Sequence, residues 1–543
     1  MSADPLLAVE GLSVRLPKGA DRANALSKVS LSIAANEILC IVGESGSGKS
    51  MLANAIMRLL PESVTIEGGR ILFEDRDLCI MSPAEMRKVR GAEIAMIFQE
   101  PMTALNPLRT IGDQIGEMLE IHTKFSKAEI KARVQALLSD VHIPDPKAAA
   151  RAYPHELSGG QRQRAMIAMA LALDPKVLVA DEPTTALDVT TQAQILKLIR
   201  ELQTRRGTAV LFITHDFGVV AEIADRVVVM QHGVVVEQGP AKVVLGQPRH
   251  AYTRQLIAAV PPLQAPPPRT LADDIILKLD KVTKTYRTGG FLGRGVRVTH
   301  AVKDVSLALP RGATLGIVGE SGSGKSTLAR CIIRLIDPDA GAIRLEGQDW
   351  TKLSRTEMRR QTRCMQMVFQ DPFASLNPRR KAADLVAQGP IVHGTPRAQA
   401  LAEARELFSL VGLDPSAGDR FPHEFSGGQR QRIGLARALA LKPAVLVADE
   451  PVSALDVSVQ AQVLKLLTGL RERLGLSIVF ITHDLRVAAQ ICDLVAVMQD
   501  GAVVEHGLTH EVFGRPQHPY TRALIDAIPG GEFARARGSV TSP

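Results

Sequence analysis

Gly43-Glu44-Ser45-Gly46-Ser47-Gly48-Lys49-Ser50 stands between two runs of different character. Before it, Glu37 to Val42 passes through Ile38, Leu39, Cys40, Ile41 and Val42, a continuous apolar run that reads as a buried strand. After it, Met51 to Leu60 reads as a helix. A glycine loop in that position curls so that several backbone N–H groups converge on a phosphate, and the helix N-terminus adds positive potential. Lys49 would reach the β- and γ-phosphates, and Ser50 would ligate Mg²⁺. The same eight residues recur as Gly319, Glu320, Ser321, Gly322, Ser323, Gly324, Lys325 and Ser326, between the strand Thr314 to Val318 and a helix that opens at Thr327 and runs to Ile336. Two identical copies in one context exclude accident, so the sequence predicts two nucleoside triphosphate sites.

The duplication extends far beyond the loop. Ser158 and Ser426 begin matching segments, and Asp181/Asp449, His215/His483 and Tyr252/Tyr520 keep the same offset. A repeat this long is a duplicated domain rather than a solenoid. The 543 residues also exceed what one core serves. The predicted organisation is a first domain over 1–260, a proline-rich linker over 261–275, a second domain over 276–530 and a flexible tail over 531–543. Val260 to Arg269 carries prolines that favour an extended, semi-rigid spacer. Within each half, apolar strands alternate with helical stretches, which predicts an α/β sheet.

Between these strands the pattern turns helical, over about 100–157 in the first half and 371–425 in the second. Ser126-Lys-Ala-Glu129 has capping-box spacing, and Ile130, Val134, Leu137, Leu138 and Val141 follow on one face. Thr395-Pro396 can start the matching helix, with Leu401, Ala404, Phe408 and Val411 inward and Gly412 as a stop. The fold class is therefore α/β: two tandem P-loop cores, each with an inserted helical subdomain.

Bulk properties narrow the setting. The net charge of +8 does not by itself point to nucleic acid. The five cysteines form no Cys-x-x-Cys pair, so reduced thiols and a cytoplasmic location are expected. Met1 to Glu10 has no basic segment followed by an apolar core, so no signal peptide is expected. No apolar run is long enough to span a bilayer, and membrane subunits would have to be separate chains.

Lys176 to Ala180 and Ala444 to Ala448 are apolar strands that lead into Asp181-Glu182-Pro183 and Asp449-Glu450-Pro451. In a P-loop enzyme the strand-end Asp181 or Asp449 holds Mg²⁺, and Glu182 or Glu450 can orient and deprotonate an attacking water. Ala209 to Ile213 and Ser477 to Ile481 lead likewise into Thr-His-Asp, which places His215 and His483 for γ-phosphate contact. Reactive side chains thus gather at strand carboxyl ends, where open α/β sheets bind ligands. Ser158-Gly159-Gly160-Gln161 recurs as Ser426-Gly427-Gly428-Gln429, each before a helix that can present N–H groups to an anion.

P-loop, Ser-Gly-Gly-Gln and Asp-Glu-Pro together resemble the ATP-binding-cassette (ABC) ATPases, and the resemblance covers essentially the whole chain in two cassettes. It implies head-to-tail cassettes that hydrolyse ATP with Mg²⁺. One composite site would join Gly43 to Ser50, Gln99, Asp181, Glu182 and His215 with Ser426, Gly427, Gly428 and Gln429. The other would join Gly319 to Ser326, Gln370, Asp449, Glu450 and His483 with Ser158, Gly159, Gly160 and Gln161. Gln99 and Gln370 would sense Mg²⁺ and a membrane partner, with Ser50, Asp181, Ser326 and Asp449 as the other metal-site residues. Glu182 and Glu450 would be catalytic bases, His215 and His483 switch histidines, and Ala186-Leu187-Asp188 and Ala454-Leu455-Asp456 the loops linking the sites. Tyr286 fits the family's adenine-stacking position, with Thr327 beside the second P-loop. The first half has Leu16 in Tyr286's place, which predicts weaker binding at the Lys49 site.

Gln99-Glu-Pro-Met-Thr-Ala-Leu-Asn-Pro107, Gln370-Asp-Pro-Phe-Ala-Ser-Leu-Asn-Pro378, His250-Ala-Tyr-Thr-Arg254 and His518-Pro-Tyr-Thr-Arg522 are similar to the dipeptide/oligopeptide/nickel importer ATPases. Fusion of the two cassettes resembles Yej-type peptide importers and glutathione importers. The resemblance implies a peripheral motor on the cytoplasmic face of the bacterial inner membrane. Its partners would be two transmembrane permeases, served by an extracytoplasmic peptide-binding protein. No nucleic acid is expected. No cysteine follows either His-x-Tyr segment closely, so no iron–sulfur cluster is expected. The alternative class is a soluble tandem ABC ATPase acting on ribosomes or nucleic acid.

Overall fold

The computed structural model describes residues 5–20, 22–185, 187–288, 297–371, 375–453 and 455–531. Ala186, Ala454, Pro372, Phe373, Ala374 and most of the 531–543 tail, all named above, lie outside the described residues. The chain divides into two compact units, the first built on Met1–Leu187 and Thr191–Val260, the second on Pro261–Ile528.

In the first unit, six strands form one sheet in the order Val234–Pro240, Arg226–Gln231, Ile38–Val42, Ala209–Thr214, Val177–Asp181 and Ile94–Ile97. All neighbours are parallel except the first pair. Ile38–Val42 and Val177–Asp181 are buried at every position, as an unbroken apolar run between helical layers requires. A second, antiparallel sheet runs Asn24–Ile33, Leu7–Arg15, Thr65–Phe73 and Arg76–Asp77, and its Leu7, Leu12, Leu26 and Ile33 share a core with Leu39 and Ile41.

The second unit repeats this arrangement. Met365–Val368, Val445–Asp449, Ser477–Thr482, Thr314–Val318, Leu494–Gln499 and Ala502–Leu508 make the six-stranded sheet. Arg297–Pro310, Ile275–Thr288, Ala340–Leu345 and Gln348–Asp349 make the four-stranded one. The proline-rich segment before it has no regular structure, but Arg269 pairs with Asp493 at 2.6 Å, and Gln490 donates to the carbonyls of Pro262 and Gln264.

The two halves fill one piece of core in opposite ways. Cys40 lies in the central strand of the first unit, and Gly316 occupies the matching place in the second. A Cβ on Gly316 would stand 2.7 Å from Cys492 Sγ, whereas the residue matching Cys492 in the first unit is Ala224. A thiol enters from one strand in the first half and from the neighbouring turn in the second.

Helical layers follow the sheet strands as the periodicity predicts. In the first unit they are Ile111–His122, Lys127–Asp140 and Pro146–Arg151. Ser126 caps the second of these: its Oγ accepts from Glu129 N at 3.3 Å while Glu129 accepts from Ser126 N at 2.7 Å. Ile130, Val134, Leu137, Leu138 and Val141 are all buried. In the second unit Ala382–Val392 and Arg397–Leu410 are the counterparts, with Ala404, Phe408 and Val411 buried, Leu401 partly so, and Gly412 at φ +71° after the helix end. Among the described residues no helix is long and apolar enough to cross a membrane.

Candidate nucleotide sites

Each P-loop follows the central strand of its sheet and opens a helix, Lys49–Ile56 or Lys325–Ile332, two residues earlier than the apolar pattern predicts. Gly48 and Gly324, at φ +103° and +102°, turn the loop into that helix. Gly43 (φ +157°) is needed for close approach as well, since a Cβ there would meet Met230 O at 2.3 Å. Lys49 Nζ donates to the carbonyls of Gly43 (2.7 Å) and Glu44 (2.9 Å), and Lys325 Nζ to those of Gly319 (2.8 Å) and Glu320 (2.6 Å). The ammonium groups thus lie across the loop rather than out in solvent. Burial lowers the Lys325 pKa, an effect partly offset by the Glu450 charge.

Beside each loop, Ser50 Oγ lies 3.1 Å from Asp181 Oδ1, and Ser326 Oγ 3.1 Å from Asp449 Oδ1. Burial pushes both aspartates above the usual carboxylate range, while the serine hydroxyls pull the other way. A hydroxyl and a carboxylate side by side are hard oxygen donors that fit Mg²⁺ completed by phosphate and water.

Glu182 and Glu450 follow at φ +46° and +47°, a conformation that costs a non-glycine residue about 1–2 kcal/mol. Their N–H groups still bond to the neighbouring strand, at Ile213 O and Ile481 O, both 3.0 Å. The kink turns each carboxylate toward a shared cluster. Gln99 Nε2 donates to Glu182 at 3.0 Å, Thr185 Oγ1 donates at 2.9 Å, and His215 Nδ1 lies 3.3 Å away. In the second unit Gln370 Nε2 donates to Glu450 at 2.8 Å, and His483 Nδ1 lies 3.2 Å away. Burial alone would raise the Glu182 pKa, but its bond to His215, the His215 charge, Thr185 and Lys49 outweigh burial and hold it at about 2. Glu450 is likewise lowered against burial by His483 and Lys325, and His483 is raised by Glu450 despite its own burial.

Ser158 and Ser426 cap the helices Gly159–Ala170 and Gly427–Leu439. Each serine Oγ accepts from the glutamine N–H (3.3 and 3.4 Å), and Gln161 and Gln429 accept from the serine N–H (3.1 and 3.0 Å). Ser-Gly-Gly-Gln is therefore a capping box with glycines at the first two helical positions. Gly160 and Gly428 let these helices pack closely, since a Cβ would meet Thr191 Cγ2 at 2.8 Å and Val459 Cγ1 at 2.4 Å.

Tyr286 sits on the strand Ile275–Thr288 opposite Thr299. Leu16 follows the strand Leu7–Arg15 and packs against the first unit's core. Sequence reasoning missed four contributors. Thr185 holds Glu182, Arg22 donates to Gly46 O in the first P-loop, and the hydroxyls of Tyr252 and Tyr520 accept from the N–H groups of Glu44 (3.1 Å) and Glu320 (3.2 Å). Only the tyrosines carried a signal, their recurrence in register.

Fold and site together define a P-loop ATPase with two sites of one design. Comparison with known proteins gives the family. The ABC transporter model matches residues 26–185 and 302–453, and the model for the C-terminal region of oligopeptide/dipeptide transporters matches 236–280 and 504–541. The chain is similar to the glutathione import ATP-binding protein GsiA of Escherichia coli O157:H7, 46% identical over 99% of this chain and 92% of that protein. It is also similar to the peptidoglycan transport ATP-binding protein YejF of Agrobacterium fabrum, 47% identical over 97% of each. A solved dimer of the ATP-binding cassette MJ0796 with ADP and Pi is 31% identical over 43% of this chain and 98% of that one, with a TM-score of 0.39. The chain belongs to the ABC transporter family, as an ATP-hydrolysing subunit with two tandem cassettes.

Proposed function

We propose that this chain is the motor of an importer for peptides or peptide-like solutes, bound at the cytoplasmic face of the inner membrane to two permeases that an extracytoplasmic binding protein supplies. The carrying observation is the oligopeptide/dipeptide-type C-terminal segment in both halves, together with full-length likeness to two import ATPases. That likeness favours import over action on ribosomes or nucleic acid.

The proposed domains are 1–260 and 276–530, joined by 261–275, with 531–543 as a tail. Each ATP is proposed to lie between the P-loop of one cassette and the Ser-Gly-Gly-Gln of the other, in the two sets given by the family resemblance. Lys49 and Lys325 bind the β- and γ-phosphates. Ser50 with Asp181, and Ser326 with Asp449, would hold Mg²⁺, which supplies charge neutralisation on the phosphates. Gln99 and Gln370 lie against the catalytic carboxylates and report their state to the groove where a permease docks. Glu182 and Glu450 position and deprotonate water. His215, Gln99 and Thr185 hold the Glu182 carboxylate ionised and oriented for that role.

The test is uptake of labelled peptides into proteoliposomes holding the chain and its candidate permeases, with loaded binding protein outside and ATP inside. ATP-dependent uptake of at least one peptide or of glutathione is expected. ATP turnover without uptake, unchanged by the permeases, would reject import.

A further inference from the structure

The His-x-Tyr-Thr-Arg segments look, in sequence, like a family signature far from the chemistry. The structure brings each one to its own P-loop. In the first unit, Glu237 accepts from the N–H groups of Arg249 (2.8 Å) and His250 (3.0 Å), and His250 Nδ1 accepts from Tyr252 N (3.2 Å) to start the helix Ala251–Ala259. Arg254 donates to the carbonyl of Arg249 at 2.8 Å. In the second unit, Glu505 accepts from Gln517 N (2.7 Å) and His518 N (3.1 Å), His518 Nδ1 accepts from Tyr520 N (3.2 Å), and Arg522 donates to Pro516 O (2.9 Å). These bonds fix where the helix begins and so where the tyrosine points.

The tyrosine then meets one particular peptide group. The N–H of Glu44 and the C=O of Gly43 belong to the same planar unit and point in opposite directions. Tyr252 Oη accepts from that N–H at 3.1 Å, while Lys49 Nζ donates to that C=O at 2.7 Å. The second unit matches: Tyr520 Oη accepts from Glu320 N at 3.2 Å, and Lys325 Nζ donates to Gly319 O at 2.8 Å. Hydrogen bonds in series through one peptide polarise each other, and rotating the peptide would break both. Burial pushes the Tyr520 pKa up to about 12, so its proton stays on oxygen.

We propose that Tyr252 and Tyr520 are positioning residues of the nucleotide sites: each clamps the first peptide of its P-loop and thereby sets where Lys49 or Lys325 presents its charge to phosphate. The C-terminal segment of each half is then part of the nucleotide site. The proposal rests on the reading that the two P-loops bind phosphate, and the test separates the two.

MgADP binding to the full chain is measured by calorimetry for wild type, Tyr252→Phe, Tyr520→Phe and Lys49→Ala, with thermal melting of each nucleotide-free protein. Phenylalanine keeps the ring and removes the acceptor, and at Tyr252 it also removes the hydroxyl's donation to Glu44 Oε2 at 3.3 Å. Losing one such bond predicts Kd raised roughly 3- to 10-fold at one of two sites in each Tyr→Phe variant, with melting unchanged. Lys49→Ala should abolish binding at one site. Unchanged affinity in both Tyr→Phe variants, or lower melting with unchanged affinity, overturns the clamp and assigns the tyrosines to packing. Two intact sites in Lys49→Ala would overturn the P-loop reading itself.

Discussion

Glu182 and His215 face each other at 3.3 Å, and Glu450 and His483 repeat the pair at 3.2 Å. Each glutamate sits one residue past a parallel strand, in a left-handed backbone conformation, with a glutamine amide on its carboxylate. The pair keeps the carboxylate charged and occupied. A glutamine in its place preserves size and could still accept from Gln99 or Gln370, but it cannot take a proton from water.

The Ser50–Asp181 contact predicts a metal phenotype. Asp181→Asn keeps the shape and loses the charge. The Mg²⁺ concentration for half-maximal ATPase at the first site should rise about 10-fold or more, the scale seen when a metal site loses a supporting oxygen. Magnesium titration in a Glu450→Gln background, in which the proposed role of Glu450 leaves only the first site active, checks this. An unchanged midpoint would remove Asp181 from the metal site.

Leu16 offers apolar contact but no π-face, and base–aromatic stacking is worth about 1–3 kcal/mol. The Lys49 site should therefore bind nucleotide more weakly than the Lys325 site. Leu16→Tyr should tighten it about 5-fold or more. Site-resolved titration of Lys49→Ala and Lys325→Ala measures the two affinities, and equal values would contradict the role given to position 16.

The exchanged thiols give a stability test. Gly316→Ala drives a Cβ to within 2.7 Å of Cys492 Sγ and should destabilise the second unit by about 1–3 kcal/mol, the usual cost of overpacking. Adding Cys492→Ala should recover most of that, because the first unit already combines a bulkier strand residue, Cys40, with an alanine, Ala224, at the place of Cys492. A double-mutant cycle by denaturant unfolding reads the coupling.

Glu505 sets a pH limit on its segment. Burial would raise its pKa, but the N–H groups of Gln517 and His518 win and lower it below the ordinary value. The unfolded chain therefore binds the proton more readily. The contribution to stability is complete above the ordinary glutamate pKa of about 4.3 and is lost as pH falls through the lower folded value. Thermal melting of wild type should fall more steeply on acidification below about pH 4.5 than that of Glu505→Gln. Parallel slopes would show that the carboxylate does no such work.

Much of this molecule was legible because the sequence carries it twice. The unbroken apolar runs before Gly43 and Asp181 read as buried strands, the structure sets both in the parallel part of one sheet, and the predicted reactive residues stand at their ends. The periodic face from Ile130 to Val141 and the capping box at Ser126 are local signals, and both stand in the structure. Boundaries moved by a residue or two where glycine geometry rather than hydrophobicity starts the helix, as at Lys49. The positive φ of Glu182, the Thr185 contact and the reach of Tyr252 to Glu44 were invisible. They depend on where distant strands and helices place a side chain, and no local pattern encodes that.

The measurement that bears most directly on the account is ATP hydrolysis by the chain with its candidate permeases in lipid, for wild type and for Glu182→Gln/Glu450→Gln. Permeases and a peptide-loaded binding protein should stimulate the wild type, and the double variant should bind ATP but turn over at least about 100-fold more slowly, as loss of a general base implies. Wild-type turnover indifferent to the permeases, or a double variant that hydrolyses at the normal rate, would contradict the account.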